Sequence, residues 1–390
     1  VIPVSEALDR IFALLQPLAA EPVALRNACG RVLAEDAVAT RDQPPFAASA
    51  MDGYAVASDR IAPGARFTVI GEAAAGQRYP GQLFSGQAVR IFTGAPVPAG
   101  ADRIVIQEDV TVDGNDIILS ENLDAGTHIR PAGGDFRAGA RLPAGTRLSP
   151  ADVALLAAMN IPSVRVHRRP IVGLLTTGDE LVMPGTSPSE DQILSSNGYG
   201  LAALLEREGA LVRLLPIARD RIGALQTVLA LTAGCDLVVT TGGASVGDHD
   251  LIGNMAADLG LSRSFYTVAM RPGKPMMAGI LAGIPLIGLP GNPVSSMVCG
   301  TIFILPSLRV LMGLPAQPAP RSTARLAVAL TANGPREHYM RAWLEAGEVT
   351  VFDRQDSSLQ SVLSRSNALV VRPPNAPMMD AGATVDVVLL

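Results

Sequence analysis

The residues best placed to do chemistry are carboxylates and small polar groups set in glycine-rich loops. Asp248 and Asp250 close the run D-L-V-V-T-T-G-G-A-S-V-G-D-H-D, residues 236–250, in which Leu237, Val238 and Val239 read as a buried strand. Gly242, Gly243 and Gly247 let backbone N–H groups approach an anion, and a helix expected over 251–259 would add its unpaired amide donors. Two carboxylates beside phosphate suit Mg²⁺, which takes oxygen ligands. The spacing fits neither the P-loop nor the dinucleotide fingerprint, and an ordinary strand-to-helix turn fits the local pattern equally well.

Three further loops carry candidates. One is Thr176-Thr177-Gly178-Asp179-Glu180, a second carries Asp220, and a third is Pro290-Gly291-Asn292-Pro293-Val294-Ser295-Ser296. If the strands before these loops are parallel, all four loops crowd one sheet edge. Asp179, Glu180, Asp220, Asp248 and Asp250 then share a Mg²⁺–phosphate site with two glycine-lined anion sites. Each acid taken singly reads as a loop carboxylate or a helix cap. Arg271-Pro-Gly-Lys274-Pro is a stiff basic turn that suits a small oxyanion or merely solubilises. Ser295 and Ser296 read as anion donors or as caps. Asp52 lies in a small-residue turn, Thr93 follows a strand, and 130–135 is a glycine-rich loop. Arg336, Arg341, Ser357 and Ser358 read as ordinary surface residues.

The elements that position these loops follow from periodicity. From Pro170 the chain alternates: strands at 171–175, 211–217, 237–240, 265–269 and 285–289, and helices at 198–208 (Asn197 as cap, Gly209 as stop), 221–232 and from Pro293. That alternation implies βαβ units and a mostly parallel sheet, with ligands beyond the carboxyl ends of its strands. Earlier, 4–15 reads as an amphipathic helix, and 149–159 as a helix capped by Ser149 with Asp152 completing a capping box. Between them, strands at 67–70, 88–92, 104–110 and 116–119 indicate a β-rich insertion. After the proline-rich 315–320, strands near 324–330, 340–344, 368–371 and 384–389 suggest a small β-barrel. The expected fold is multi-domain α/β and β. Its parts are a discontinuous helical and extended N-terminal domain (1–43 plus 132–168), an inserted β-rich domain (44–131), a central mostly parallel αβ domain (169–314) and a C-terminal β-barrel (315–390).

Composition narrows the class. At 390 residues the chain holds several domains, and 48% hydrophobic against 17% charged residues makes it globular. Aromatics at 4% and a net charge of −5 argue against nucleic acid as a partner. Cys29, Cys235 and Cys299 are far apart and the four histidines form no ligand pair, against a disulfide framework or a zinc site. A reducing cytoplasm fits. Glu6, Asp9 and Arg10 do not read as a signal peptide. The most apolar run, 297–305, is cut by Gly300 and Pro306 and reads as too short to cross a membrane.

Six segments in series resemble one family: S-A-M-D-G-Y-A-V (49–56), I-F-T-G-A-P-V-P (91–98), T-T-G-D-E-L (176–181), T-G-G-A-S-V-G-D-H-D (241–250), R-P-G-K-P (271–275) and G-L-P-G-N-P-V-S (288–295). R-E-H-Y-M-R-A (336–342) is a weaker match. Together they resemble the molybdopterin molybdotransferases of molybdenum-cofactor biosynthesis, which include the E domain of gephyrin. The resemblance implies an elongated homodimer that binds adenylylated molybdopterin and molybdate, inserts molybdenum and releases AMP with Mg²⁺. It implies Asp220, Asp248 and Asp250 as metal ligands, and Asp52, Thr93, Glu180, Asp220 and Asp250 as catalytic. Substrate contacts would come from Gly242, Gly243, Ser245, Gly247, Pro290, Pro293, Arg130 and Asp135. Molybdate would fall to Arg271, Lys274, Ser295, Arg336 and Ser357. A molybdopterin adenylyltransferase and apo-molybdoenzymes are the implied protein partners. Arg271 stands where lysine is usual, which keeps the charge and alters the donor geometry. An adenylyltransferase, or a dimeric scaffold of the gephyrin type, is the alternative.

Overall fold

The computed structural model describes residues 1–242 and 260–390. The helix expected over 251–259 lies outside the described residues, as do Gly243, Ser245, Gly247, Asp248 and Asp250.

The αβ sheet runs in the order Leu211–Leu214, Ile171–Thr176, Leu237–Thr241, Ile284–Leu289, Pro275–Leu281, Leu261–Thr267. The first four strands are parallel, and Pro275–Leu281 runs antiparallel to both its neighbours, so the sheet is mostly parallel with a meander at one edge. Leu237, Val238 and Val239 are wholly buried, as a strand covered on both faces requires. The Pro275–Leu281 strand escaped the sequence reading because 271–275 reads as a turn. It is one of the sheet's most buried strands. The chain passes from Ile171–Thr176 to one side and then returns to place Leu237–Thr241 on the other. The sheet's switch point, and with it the natural crevice for a ligand, lies between those two strands.

Helix Asn197–Glu208 ends on Gly209 in the left-handed conformation, φ 111°, as expected. Its N-cap is Ser196 rather than Asn197, and the Ser196 side chain makes no capping bond. The helical run from Pro293 corrects the sequence reading of 297–305. Gly300 and Pro306 do not cut it. Pro293–Cys299, Gly300–Ile304 and Leu305–Leu311 follow without interruption, the middle piece being a π-helical turn. Proline at the second position of the third piece is tolerated where wider hydrogen bonding has already displaced the usual donor. By length and composition Pro293–Leu311 could cross a membrane, but 89% of it is buried within the fold as a core helix.

The first helix is shorter than expected, Val4–Phe12, although Leu15 beyond it remains buried. Pro150–Ala158 carries the full capping box: the Ser149 hydroxyl accepts from Asp152 N–H and Asp152 accepts from Ser149 N–H. Ala20–Ala24 pairs with Ser163–His167, and Ala37–Val38 with Arg141–Leu142, so segments on both sides of the insertion share one small core around Leu33, Leu148 and Leu156. The insertion forms a six-stranded mixed sheet. The strand expected over 104–110 is two, Arg103–Ile106 and Val110–Asp113, parted by the single turn Gln107–Asp109. The C-terminal strands close into a five-stranded barrel, because Glu337–Glu345 pairs with both Glu348–Val351 and Ala368–Arg372.

Candidate active site

A cleft of about 620 Å³ opens at the switch point. Thr176, Thr177 and Glu180 come from the loop after Ile171–Thr176, Asp220 from the loop after Leu211–Leu214, Gly242 from the loop after Leu237–Thr241, and Pro290 to Pro293 from the loop after Ile284–Leu289. All four loops named from sequence therefore meet, because the parallel strands end on one edge. Gly242 sits at φ +84°, and a Cβ there would come within 2.5 Å of the Thr177 carbonyl. The position takes glycine alone, and the backbone is left bare toward the cleft. The Thr177 hydroxyl is buried against this turn and finds no hydrogen-bond partner among the described residues. A buried unpartnered hydroxyl beside a bare backbone is suited to a polar ligand atom. Asp220 N–H donates to Asp179 Oδ1 at 3.2 Å, which ties two of the loops together.

The cleft has a wall the sequence reading passed over. Ser358 and Gln360 of the C-terminal barrel line it, and Gln360 Nε2 donates to Ser196 Oγ at 2.5 Å. Asn197 Nδ2 donates to the Gly291 carbonyl at 2.7 Å. In the sequence Asn197 reads only as a helix cap, and nothing sets Gln360 apart from the polar residues around it. Ser295 and Ser296 are buried, at 3% and 0% exposed, and neither is the cap: the N-cap is Asn292. The Ser296 hydroxyl donates back to the Pro290 and Asn292 carbonyls. Asn292 Nδ2 instead donates to Ser357 Oγ at 3.1 Å, bringing Ser357 of the barrel to the rim of this loop.

Among the described residues no group of three or more His, Cys, Asp or Glu could hold a metal ion. Glu180 and Asp220 both line the cleft, however, and Mg²⁺ needs only one or two carboxylates when substrate phosphate and water complete its shell. The donor set present fits that ion.

The basic turn lies on the barrel side. Met270–Arg271 pairs parallel with the barrel strand, Arg271 opposite His338. Arg271 and Lys274 are exposed and Arg336 is half-buried. Arg341, read as a surface residue, is 1% exposed, one of the most buried large side chains in the protein. Its Nε reaches Gln355 Oε1 and its Nη1 the Asp356 carbonyl. A strand alternation of polar residues hid this, because both faces of a closed barrel strand can be covered.

Two motifs of the insertion meet. Thr93 N–H and its hydroxyl both donate to Asp52 Oδ1, each at 2.7 Å. These bonds, the backbone one first, hold the Asp52 carboxyl below its ordinary range, with a smaller contribution from the Arg90 charge. Gly53 beside it packs where a Cβ would overlap the Val105 carbonyl. Arg130 is exposed on a short strand, Ile129–Arg130, paired to Ala48–Ser49, and Asp135 is exposed on the exit loop. None of Asp52, Thr93, Arg130 and Asp135 lines the switch-point cleft of its own chain.

The fold and cleft define a multi-domain αβ protein that offers backbone donors, hydroxyls and carboxylates to one ligand at a sheet switch point. Residues 2–160 match the family described as MoeA N-terminal region (domain I and II), residues 173–310 the probable molybdopterin binding domain, and residues 323–390 the MoeA C-terminal region (domain IV). A molybdopterin molybdenumtransferase of Nostoc sp. is 35% identical over 386 residues, 95% of this chain and 88% of that relative. Molybdopterin molybdenumtransferase 2 of Mycobacterium tuberculosis is 35% identical over 382 residues, covering 94% of each chain. The crystal structure of the molybdopterin biosynthesis moeA protein from Pyrococcus horikoshii superposes along the whole of both chains, with a TM-score of 0.86 and 28% identity. The chain belongs to the MoeA family of molybdopterin molybdenumtransferases.

Proposed function

We propose that this chain inserts molybdenum from molybdate into adenylylated molybdopterin and releases AMP, in a Mg²⁺-dependent reaction. The supporting observation is the switch-point cleft, in which Thr177, Glu180, Asp220 and Gly242 face one space in a chain of this family. Gly242, Gly243, Ser245, Gly247, Pro290 and Pro293 cradle the phosphate and pterin portions. Asp220, Asp248 and Asp250 would hold Mg²⁺, with Glu180 serving the same site, and the bound ion would supply charge compensation at the phosphoanhydride. Arg271, Lys274, Ser295, Arg336 and Ser357 take the molybdate dianion, since cations and hydroxyl donors suit a tetrahedral oxyanion.

Asp52, Thr93, Arg130 and Asp135 lie away from the cleft of their own chain, which accords with a homodimer in which they serve the partner's cleft. Sedimentation gives the oligomeric state, and a monomer at working concentration would remove that arrangement. The working division is 1–43 plus 132–168, 44–131, 169–314 and 315–390, in a cytoplasmic enzyme.

The decisive experiment incubates the pure protein with adenylylated molybdopterin, Mg²⁺ and molybdate. Molybdate-dependent AMP release and reactivation of a molybdenum-free apoenzyme are expected, both lost on chelation of Mg²⁺. Asp220→Asn should reduce release strongly while the folded state persists. Wild-type protein that releases no AMP in response to molybdate overturns the reading.

A further inference from the structure

Arg90 grips the main chain around Asp52 without touching its carboxylate. In the sheet of the insertion Arg90 lies opposite Tyr54, in the pairing of Gln87–Ile91 with Gly53–Val56. Its guanidinium carbon is 5.0 Å from the centre of the Tyr54 ring and 4.8 Å from that of Phe92. Two aromatic neighbours restrict how a planar cation can turn, so its donors point in set directions. Nη1 donates to the Gly53 carbonyl at 3.0 Å and Nη2 to Gln107 Oε1 at 2.8 Å. The backbone N–H of Gln107 in turn donates to the Asp52 carbonyl at 3.1 Å. Arg90, Gly53, Asp52 and Gln107 therefore form a closed ring in which both carbonyls of the Asp52-Gly53 pair are held. Gly53 is buried with its backbone flush against the Val105 carbonyl, so the pair has no room to slide. Both bonds from Thr93 go to Asp52 Oδ1, and Oδ2 accepts none among the described residues. A carboxylate with a fixed main chain and one oxygen engaged presents the other in a single direction, which is the preorganisation a reacting group needs. An arginine that merely covered the Tyr54 ring would need neither of its two directed bonds.

We infer that Arg90 is a positioning residue of the reaction, acting through Gly53 and Gln107 to aim Asp52 Oδ2 at the ligand of the cleft it serves. The inference rests on the reading of Asp52 as a reacting group and identifies what holds it. Lysine could not stand in for Arg90, since a point-like ammonium has neither the flat face nor the two-pronged reach.

The test compares AMP release by the full chain as wild type, Arg90→Lys, Asp52→Asn and the double variant. Arg90→Lys should lower kcat about tenfold and leave KM for adenylylated molybdopterin within about twofold. The double variant should be no slower than Asp52→Asn alone, because no carboxylate remains to be aimed. Gln107→Leu repeats the test from the other end of the ring on an exposed side chain, should Arg90→Lys fail to fold. Arg66→Met, which removes a cation bound to Asp113 and Asp116 on the same sheet, should leave kcat unchanged. Independently of turnover, hydrogen–deuterium exchange at the Thr93 amide should quicken in Arg90→Lys and Gln107→Leu, since its bond to Oδ1 opens as Asp52 shifts. Equal losses of kcat with and without the Asp52 carboxylate would mark Arg90 as merely structural and overturn the inference. Wild-type kcat in Asp52→Asn overturns it too, while leaving the cleft reaction standing. If the wild type releases no AMP in response to molybdate, the reaction reading is what fails. Thr93 exchange then decides the clamp by itself, and an unaltered rate overturns it.

Discussion

At the scale of single residues, electrostatics divides the chain's ionisable groups by their neighbours. Asp52, at the surface, is held ionised by two bonds from Thr93, whereas His338 is held neutral by burial and four arginines. The second case has a consequence for stability. The folded-state pKa of His338 lies at about 4, below the ordinary 6.5, so between those values the unfolded chain binds the proton that the folded chain refuses. Stability therefore rises with pH across that window and falls as the medium is acidified from 6.5 toward 4. The fall should amount to something on the order of 3 kcal/mol. Urea melts at pH 4.5 and 7 of wild type and His338→Asn, in chloride buffer, measure it. A His338→Asn protein with an unaltered slope would show that other groups set the acid limit.

Elements in this chain are specified by caps and covers as much as by periodicity. Pro150–Ala158 has a well-formed start, with Ser149, Pro150 and Asp152 each in its favoured place. Ser149→Ala should destabilise the protein by about 1 kcal/mol, as removal of such caps usually does. Thermal denaturation reads this as a lower midpoint, and an unchanged midpoint would mean that Asp152 alone satisfies the helix start. The Pro293–Leu311 run shows the opposite dependence. It contains a glycine and a proline that in isolation would end a helix. Burial in the core it shares with Leu201, Leu204 and Leu205 of helix Asn197–Glu208 keeps it continuous.

For the whole molecule, one carboxylate joins segments distant in sequence. Glu208, at the end of Asn197–Glu208, takes Arg147 Nη1 at 2.7 Å and Arg309 Nε at 3.0 Å, and its carbonyl accepts from Arg147 Nη2. Its side chain is 13% exposed, so solvent screens the cluster only in part. Glu208→Ala leaves two guanidiniums facing each other and should cost about 1–3 kcal/mol. The loss should show as earlier urea unfolding and faster proteolysis within residues 132–168. Unfolding coincident with wild type would mean that the shared apolar core carries the junction alone. That core runs from Val4 and Ile11 through the αβ strands to Leu369 and Val388, so the barrel and the sheet are packed as neighbours.

The sequence by itself determined the elements that local forces fix: the alternating strands and helices after Pro170, the Ser149 capping box, the Gly209 stop and the four glycine- and acid-bearing loops. Because parallel strands send their following loops to one edge, it also determined that Glu180, Asp220 and Gly242 would meet. Tertiary structure decided what rests on lateral register between distant segments. Asp52 finds Thr93, Gln360 reaches Ser196, and Arg271, His338 and Arg372 form a row only once strands far apart in the chain are laid beside one another. Arg341 reads as exposed until the barrel closes around it, since burial of a strand's second face depends on what packs there and not on the strand's own alternation.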